Sequence, residues 1–218
     1  MENTFRDVNI ALANELVKVC NSLDINALDV IKMANKHPRV NIHSPGPGVG
    51  GHCLAVDPYF IYAKAPDLAK IIKLARDTNR SMPEYVVENV EKLLNYDTNK
   101  TISGFGVTYK ADVDDMRESP ALEIIEMLKE KGYDVKIHDP HVKNNEYLNF
   151  DEALKNSSLL LNLVAHKEFL NMNFETVRQQ MKEPVIFDTT GLLNVKEDGI
   201  TLINYGNLWK YQKQEGSK

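Results

Sequence analysis

The run Leu159-Leu160-Leu161-Asn162-Leu163-Val164 constrains the fold of this chain more than any other segment. A strand packed on one face and wet on the other alternates apolar and polar residues. A nearly continuous apolar run of strand length is instead covered on both faces, and such strands belong to parallel sheets with helices above and below. The neighbouring sequence agrees. Thr101 to Val107 reads as another buried strand, Tyr133, Val135 and Ile137 alternate as a second, Val185-Ile186-Phe187 is a further apolar run, and Leu202-Ile203 a last one. Ser119-Pro120 is expected to cap a helix carrying Leu122, Ile124, Ile125 and Leu128, closed by Lys129, Lys131 and Gly132. Strands alternating with helices imply right-handed βαβ units on a parallel sheet.

The chain before Asn95 follows a different rule. Phe5, Val8, Leu12, Leu16, Val19 and Leu23 step by three or four, which draws one face of a helix. The apolar faces of these first helices are more extensive than so small a helical domain can cover by itself, so a homodimer through them is expected. Asp24 is expected to cap a second helix with Leu28, Ile31 and Ala34, stopped at His37-Pro38. Arg39 to Cys53 is dense in Gly and Pro and lacks periodicity, the mark of a long loop, and such loops are usually functional or disordered. Helix resumes between Asp57 and Thr78, with Leu68, Ile71, Ile72 and Leu74 as expected core positions. Ser81-Met82-Pro83-Glu84 reads as a capping box opening a helix through Val86, Val87, Val90 and Leu94. Asn95 to Asn99 is polar and turn-forming, so the expected organisation is α/β with a helical domain over 1–95 and a sheet domain over 96–218. The polar tail from Gln212 is expected to fray.

Composition narrows the function classes. Of 218 residues, 43% are hydrophobic and 26% charged, which excludes disorder as the main state. The net charge of −5 argues against nucleic-acid binding through a broad basic face, so an anionic ligand needs local positive partners. Cys20 and Cys53 are too few for a disulfide framework, and no apolar run reaches the ~18 residues of a membrane span. With no signal pattern at the N-terminus, the expectation is a cytoplasmic chain.

Chemistry concentrates in Pro45-Gly46-Pro47-Gly48-Val49-Gly50-Gly51-His52-Cys53-Leu54-Ala55-Val56-Asp57-Pro58. Gly48, Gly50 and Gly51 let backbone approach a ligand closely. Gly46, Gly48 and Gly51 satisfy G-x-G-x-x-G on paper, but no strand precedes them, so the dinucleotide meaning of the match is rejected. Cys53 follows the loop, with Asp57 four residues on, and a thiol in such a setting can act as nucleophile. A free cysteine is more often a small buried hydrophobe, which suffices for Cys20, whereas the loop and carboxylate favour catalysis for Cys53. His43, His52 and Cys53 lack zinc spacing, and no metal site is expected. A second constellation, Gly104, Gly106, Tyr109, Lys110 and Arg117, lies at a strand end where glycines admit phosphate and cations neutralise it. Its fingerprint is incomplete, because Tyr109 stands at the third glycine position, and solvated cations remain the plain alternative.

The segment Gly48 to Pro58 resembles the catalytic loop of the UDP-glucose/GDP-mannose dehydrogenase family. Tyr109-Lys110 with Asp115 to Pro120 resembles the start of that family's third domain, and Asn3 to Ala11 with His37 to Asn41 its central helical domain. The resemblance implies a helical dimerisation domain followed by a Rossmann-like, UDP-sugar-binding domain. It also implies two oxidations of a sugar C6 alcohol to a carboxylate, with NAD as cofactor and a UDP-N-acetylhexosamine as substrate. Cys53 would form a thiohemiacetal and then a thioester. Asp57 would assist proton transfer or hydrolysis, and Asn3 would hold the reacting oxygen or water. Arg39 would contact substrate, across a homodimer, Tyr109 and Lys110 would hold the UDP-sugar, and Arg117 would touch NAD. The family's N-terminal NAD-binding domain, with its lysine, would lie before Met1, so these residues are expected to match the central and C-terminal parts and to be inactive without that domain in cis or in trans. A non-catalytic nucleotide-sugar-binding module, a dimerisation module, and an enzyme for another UDP-N-acetylhexosamine remain as alternatives.

Overall fold

The computed structural model describes residues 1–212, and the polar tail beyond Gln212 lies outside the described residues. Helices α1 (Glu2–Ser22), α2 (Ala27–Ala34), α3 (Asp57–Lys64), α4 (Lys70–Arg80) and α5 (Met82–Leu93) occupy the first part. The helical stretch expected between Asp57 and Thr78 forms as two helices, α3 and α4, separated at residues 65–69, where Pro66 stands. The cap of α2 is Asn26, whose side chain accepts from the Asp29 N–H at 3.1 Å, and not Asp24. Ser81 makes no capping bond to α5, because its hydroxyl donates to the Thr78 carbonyl and accepts from Lys18.

The larger correction concerns which faces pack. On α1 the apolar stripe is largely outside: Phe5 is 65% exposed and Leu23, just after the helix, 61%, with Leu12 and Val19 also exposed. On and just before α4, Leu68, Ile71 and Leu74 are likewise exposed rather than buried. The two helices pack instead through Thr4, Asp7, Ala11 and Asn14 of α1 and Ala75, Arg76 and Asn79 of α4. Asp7 Oδ1 lies 2.6 Å from Arg76 Nη1 with both side chains buried, Asn79 Nδ2 donates to Asp7 Oδ1 at 2.8 Å, and Asn14 Nδ2 donates to Asn79 Oδ1 at 2.9 Å. Asp7 Oδ1, Arg76 Nη1 and the Asn14 and Asn79 amides are paired in this way, which offsets part of the cost of burying them, while Thr4 Oγ1, Asp7 Oδ2 and Arg76 Nε are buried without a hydrogen-bond partner.

After Asn95 the expected sheet forms. Strands β1 (Thr101–Phe105), β2 (Asp134–His138), β3 (Leu159–Asn162), β4 (Val185–Asp188) and β5 (Thr201–Asn204) pair in the order β2-β1-β3-β4-β5, each pair parallel. Every residue of β3 is buried. Leu159 and Leu161 pack in the core under α6 (Pro120–Glu130), while Leu160 packs on the other face with α7 (Phe150–Leu154) and α9 (Phe174–Gln180). Between those last two helices in sequence lies the short α8 (Lys167–Leu170). Each such leucine contributes roughly 1.5–3 kcal/mol by leaving water. Ser119 precedes α6 as expected but makes no side-chain cap, and Gly132 ends the following turn at φ +92°. The chain leaves β1 for β2 on one side and returns to β3 on the other. In open sheets this reversal makes a crevice at the C-terminal strand ends, where ligands bind.

Candidate active site

Three polar side chains of the helices fix the glycine loop. Asn9 on α1 donates to the Asn41 carbonyl at 2.8 Å and accepts from the His43 N–H at 2.8 Å, and Asn14 Oδ1 accepts from the Gly46 N–H at 3.0 Å. Asn35 holds Ile42 through both its N–H and its carbonyl. The polar face of α1 therefore binds α4 and the loop at once, which accounts for a helix whose apolar stripe points away.

The loop then packs against the segment following β1. A Cβ on Gly50 would lie 2.2 Å from the Glu118 carbonyl oxygen, and one on Gly51, at φ +84°, 2.7 Å from the Tyr109 ring. Glycine is required there for a close approach between two parts of the protein, in addition to any approach by ligand. Gly106, at φ +87°, leaves β1 against Val164, where a Cβ would meet the valine Cβ at 2.5 Å.

This junction encloses a cavity of about 440 Å³ lined by Asn3, Arg6, Gly48, Gly50, Gly51, Cys53, Tyr109, Lys110 and Arg117. Cys53 is exposed, and its carbonyl accepts from the Asp57 N–H at 2.8 Å as the chain enters α3. Asn3 Nδ2, in the first turn of α1, donates to Asp57 Oδ2 at 2.7 Å. Arg117 grips Asp115 by two bonds, Nε to Oδ1 at 2.9 Å and Nη2 to Oδ2 at 2.6 Å, and these hold the Asp115 carboxyl far below the usual range. Lys110 Nζ stands 5.5 Å from the centre of the Tyr109 ring. A smaller cavity of about 140 Å³ lies beside it at the β1/β3 crevice, between Pro47, Gly48, Thr108 to Ala111 and Leu163 to Ala165.

Asn3, Gly48, Gly50, Gly51, Cys53, Tyr109, Lys110 and Arg117 therefore meet here, drawn from α1, the loop and the turn after β1, whereas Asp57, at the start of α3, is not on the wall and connects to it through Asn3. Arg39 does not line the cavity: it is exposed, with its N–H on His37 Nδ1. Sequence reasoning missed Arg6, one turn along α1 from Asn3, and missed Asn9 and Asn14. Their signal was a polar stripe on a helix, which reads as solvated surface. A second cavity of about 440 Å³ lies between α3, α4 and α6, lined by Tyr59, Arg76, Arg80, Glu118, Glu123 and Glu126 among others. Its charges are mixed in sign and Cys53 is not on its wall. Asp112, His141, His166 and Glu168 bring possible metal-ligand atoms within 4.8 Å of one another. Both ring nitrogens of His166 already face hydrogen-bond partners, and Lys167 Nζ stands 2.9 Å from Asp112, so the cluster is a hydrogen-bonded network.

A parallel sheet with a crevice at its C-terminal strand ends is joined here to a helical unit that presents an exposed cysteine on the wall of a cavity that also holds cations. Comparison with known proteins gives the class. Residues 1–81 match the central domain and residues 104–195 the UDP binding domain of the UDP-glucose/GDP-mannose dehydrogenase family, and the chain belongs to that family. It is 46% identical over 199 residues to a UDP-N-acetyl-D-mannosamine dehydrogenase of Methanocaldococcus jannaschii, covering 89% of this chain and 46% of that one. It is 41% identical over 203 residues to an NDP-N-acetyl-D-galactosaminuronic acid dehydrogenase of Ralstonia nicotianae, covering 89% and 47%. Its fold is similar to that of a UDP-N-acetyl-mannosamine dehydrogenase from S. aureus, with a TM-score of 0.90 at 52% identity, over 97% of this chain and 51% of that one. The chain spans about half the length of the relatives it matches. Among the described residues no helix is long and apolar enough to cross a membrane.

Proposed function

We propose that these residues supply the cysteine loop and the nucleotide-sugar site of a UDP-N-acetylhexosamine 6-dehydrogenase, of the mannosamine type named for its relatives. The observation that carries this reading is the cavity lined by Cys53, Asn3, Tyr109, Lys110 and Arg117, with Asp57 hydrogen-bonded to Asn3. Lys110 and Arg6 supply local positive charge for a diphosphate in a chain that is acidic overall. Cys53 Sγ adds to the C6 aldehyde, which it then carries as a thiohemiacetal and, after the second oxidation, as a thioester. Water releases the carboxylate, with Asp57 taking its proton and Asn3 orienting the Asp57 side chain through the 2.7 Å bond.

NAD, when bound, accepts the hydrides. The residues present fit a contact to it but not a cradle. Arg117 lies on the cavity wall, yet Gly106 is filled against Val164 and no complete glycine fingerprint opens a helix after a strand among the described residues. Turnover is therefore assigned to these residues together with an NAD-binding domain, in cis or in trans, in a reducing cytoplasm that suits two free thiols.

A homodimer belongs to the same proposal. Phe5, Leu12 and Val19 repeat every seven residues along α1 and are exposed, an apolar seam of the kind a second helix covers. Arg39 would then act across that dimer. Calorimetry with UDP and an absorbance assay for NADH test the reading. UDP binding without NADH production, and turnover restored by an added NAD-binding domain but lost in Cys53→Ser, are expected. No UDP binding, or turnover unaffected by Cys53→Ser, would overturn it, and a monomer by light scattering at micromolar concentration would remove the dimer.

A further inference from the structure

The buried imidazole of His166 has no part in the proposed reaction, yet it joins the loops that leave three adjacent strands. It is fully buried, at the end of the connection from β3. Its Nδ1 accepts from the Asp112 N–H at 3.0 Å, in the segment after β1. Its Nε2 lies 3.2 Å from Asp139 Oδ2, after β2, and 3.3 Å from Thr108 Oγ1.

These bonds agree on one tautomer. Because Nδ1 accepts, it carries a lone pair, so in the neutral ring the proton is on Nε2 and points to the Asp139 carboxylate. The Thr108 hydroxyl donates its own hydrogen to the Lys110 carbonyl at 2.7 Å and so offers Nε2 only a lone pair. Asp139 is saturated in turn: Oδ2 accepts the Val107 N–H at 2.8 Å, and Oδ1 accepts those of His141 at 2.8 Å and Val142 at 3.1 Å. Burial pushes the Asp139 carboxyl up, but the His166, Val107 and His141 bonds outweigh it and leave the group below its usual value. Lys167, next to His166, adds an N–H to Asp112 Oδ1 at 3.1 Å. Between Val107 and Asp112, both ends of which are thereby fixed, lie Tyr109 and Lys110 on the cavity wall.

We propose that His166 is a positioning residue for the nucleotide-sugar site: with Asp139 it fixes the turn 107–112 so that Tyr109 and Lys110 meet the ligand without reordering. This rests on the reading that Tyr109 and Lys110 hold the nucleotide. Backbone ends pinned from the strand termini give a preorganised contact, and a shift of such groups by about 1 Å can cost two orders of magnitude in function.

The test is UDP affinity by calorimetry on the full chain, for wild type, His166→Leu, His166→Asn and Val177→Ala. His166→Leu keeps volume without polarity, and His166→Asn puts an amide oxygen near the place of Nδ1. Val177→Ala loosens the core on the α7 and α9 face of the sheet, the core whose Phe169 ring meets that of His166, without removing any bond to residues 107–112, and controls for general destabilisation. His166→Leu is expected to weaken UDP at least about tenfold, His166→Asn to recover part of that loss, and Val177→Ala to leave affinity unchanged. Two-bond proton–nitrogen NMR of the wild-type imidazole is expected to show the proton on Nε2. Wild type that does not bind UDP would overturn the nucleotide reading and this role with it. Wild type that binds, with His166→Leu within twofold of it, or with the proton on Nδ1, would overturn the role of His166 alone. Should His166→Leu fail to fold, His166→Asn with affinity equal to wild type and the NMR result decide the matter.

Discussion

The α1–α4 interface and the β3 core hold their elements together by opposite means. Around β3, Leu159, Leu160 and Leu161 are enclosed on both faces by aliphatic and aromatic side chains. Between α1 and α4 the buried contacts are Thr4, Asp7, Asn14, Arg76 and Asn79. The apolar core is non-directional and tolerates repacking, whereas the polar interface is fixed in register because each donor needs its own acceptor. The rigid polar side is the one that carries the glycine loop and Cys53, through Asn9 and Asn14. The polar register thus lies on the side where the proposed chemistry is placed.

The sharpest break of this comparison is Asp7→Ala, which strands the Arg76 guanidinium away from water. Burial pushes the Asp7 carboxyl above its usual value despite Arg76 and Asn79, which act in the other direction. A buried charge left without its partner costs about 3–5 kcal/mol, measurable by urea denaturation. The double variant Asp7→Leu, Arg76→Met should recover most of that loss, since it removes both charges. A loss below about 1 kcal/mol for the single change would mean that the interface is not dry, and the contrast with β3 would fall.

The contrast also sets what the sequence could reveal. Apolar runs report burial directly, so β1, β3 and β4 were legible, as were α5 and α6 with Val86, Val90, Ile124 and Leu128 inside. Periodicity marked helices where α1 and α4 stand, and on the second it put Leu68, Ile71 and Leu74 in the core. Those three are exposed, because the stripe that packs within the chain is polar and its pairing joins residues about 70 apart, as Asp7 with Arg76. The site was legible where a motif is contiguous, as around Cys53 and Tyr109-Lys110. Arg6, Asn14 and His166 were not, because each is brought by the fold to residues distant in sequence, Arg6 on the cavity wall, Asn14 at the Gly46 N–H and His166 at the Asp112 N–H.

The two cysteines sharpen the comparison next. Cys20 is 5% exposed, in the core that α5 and α6 share with the sheet, and burial pushes its thiol up, whereas Cys53 stands exposed beside the cavity. Iodoacetamide labelling of the folded chain, followed by peptide mass mapping, should modify Cys53 about a hundredfold faster or more. Equal rates would mean either that the glycine loop closes over Cys53 or that the core around Cys20 opens to water.

A smaller effect tests the seam between the two regions. Gly50→Ala forces a methyl group against the Glu118 carbonyl and Pro120, and the backbone on both sides must move. Overpacking of this kind costs about 1–3 kcal/mol, and UDP affinity should fall together with stability because Tyr109 moves with the seam. A variant as stable as wild type would show that the loop is not seated on residues 118–120.

The smallest effect comes from Tyr85 on α5, where the two regions meet. Its ring packs against the first core, Lys18 of α1 stands 5.4 Å from the ring centre, and burial, with Glu88 nearby, pushes its phenol up to about 12. In the unfolded chain the phenol ionises near 10. Between those values the native state retains a proton that the unfolded state has lost, so this contribution is fully present below pH 10 and falls as pH rises toward 12. Lys18 acts in the opposite sense, because burial lowers its value and the unfolded lysine holds its proton longer. Wild type alone would therefore show the sum of these and of the other phenols that burial pushes up, Tyr133, Tyr147 and Tyr205. Tyr85→Phe removes only the phenol, so its stability measured against wild type by urea denaturation should be nearly constant below pH 10 and rise relative to wild type between pH 10 and 12. A difference that stays flat through that interval would mean that the hydroxyl reaches water, and that α5 lies less tightly between the helices and the sheet than its buried neighbours Val86 and Val87 require.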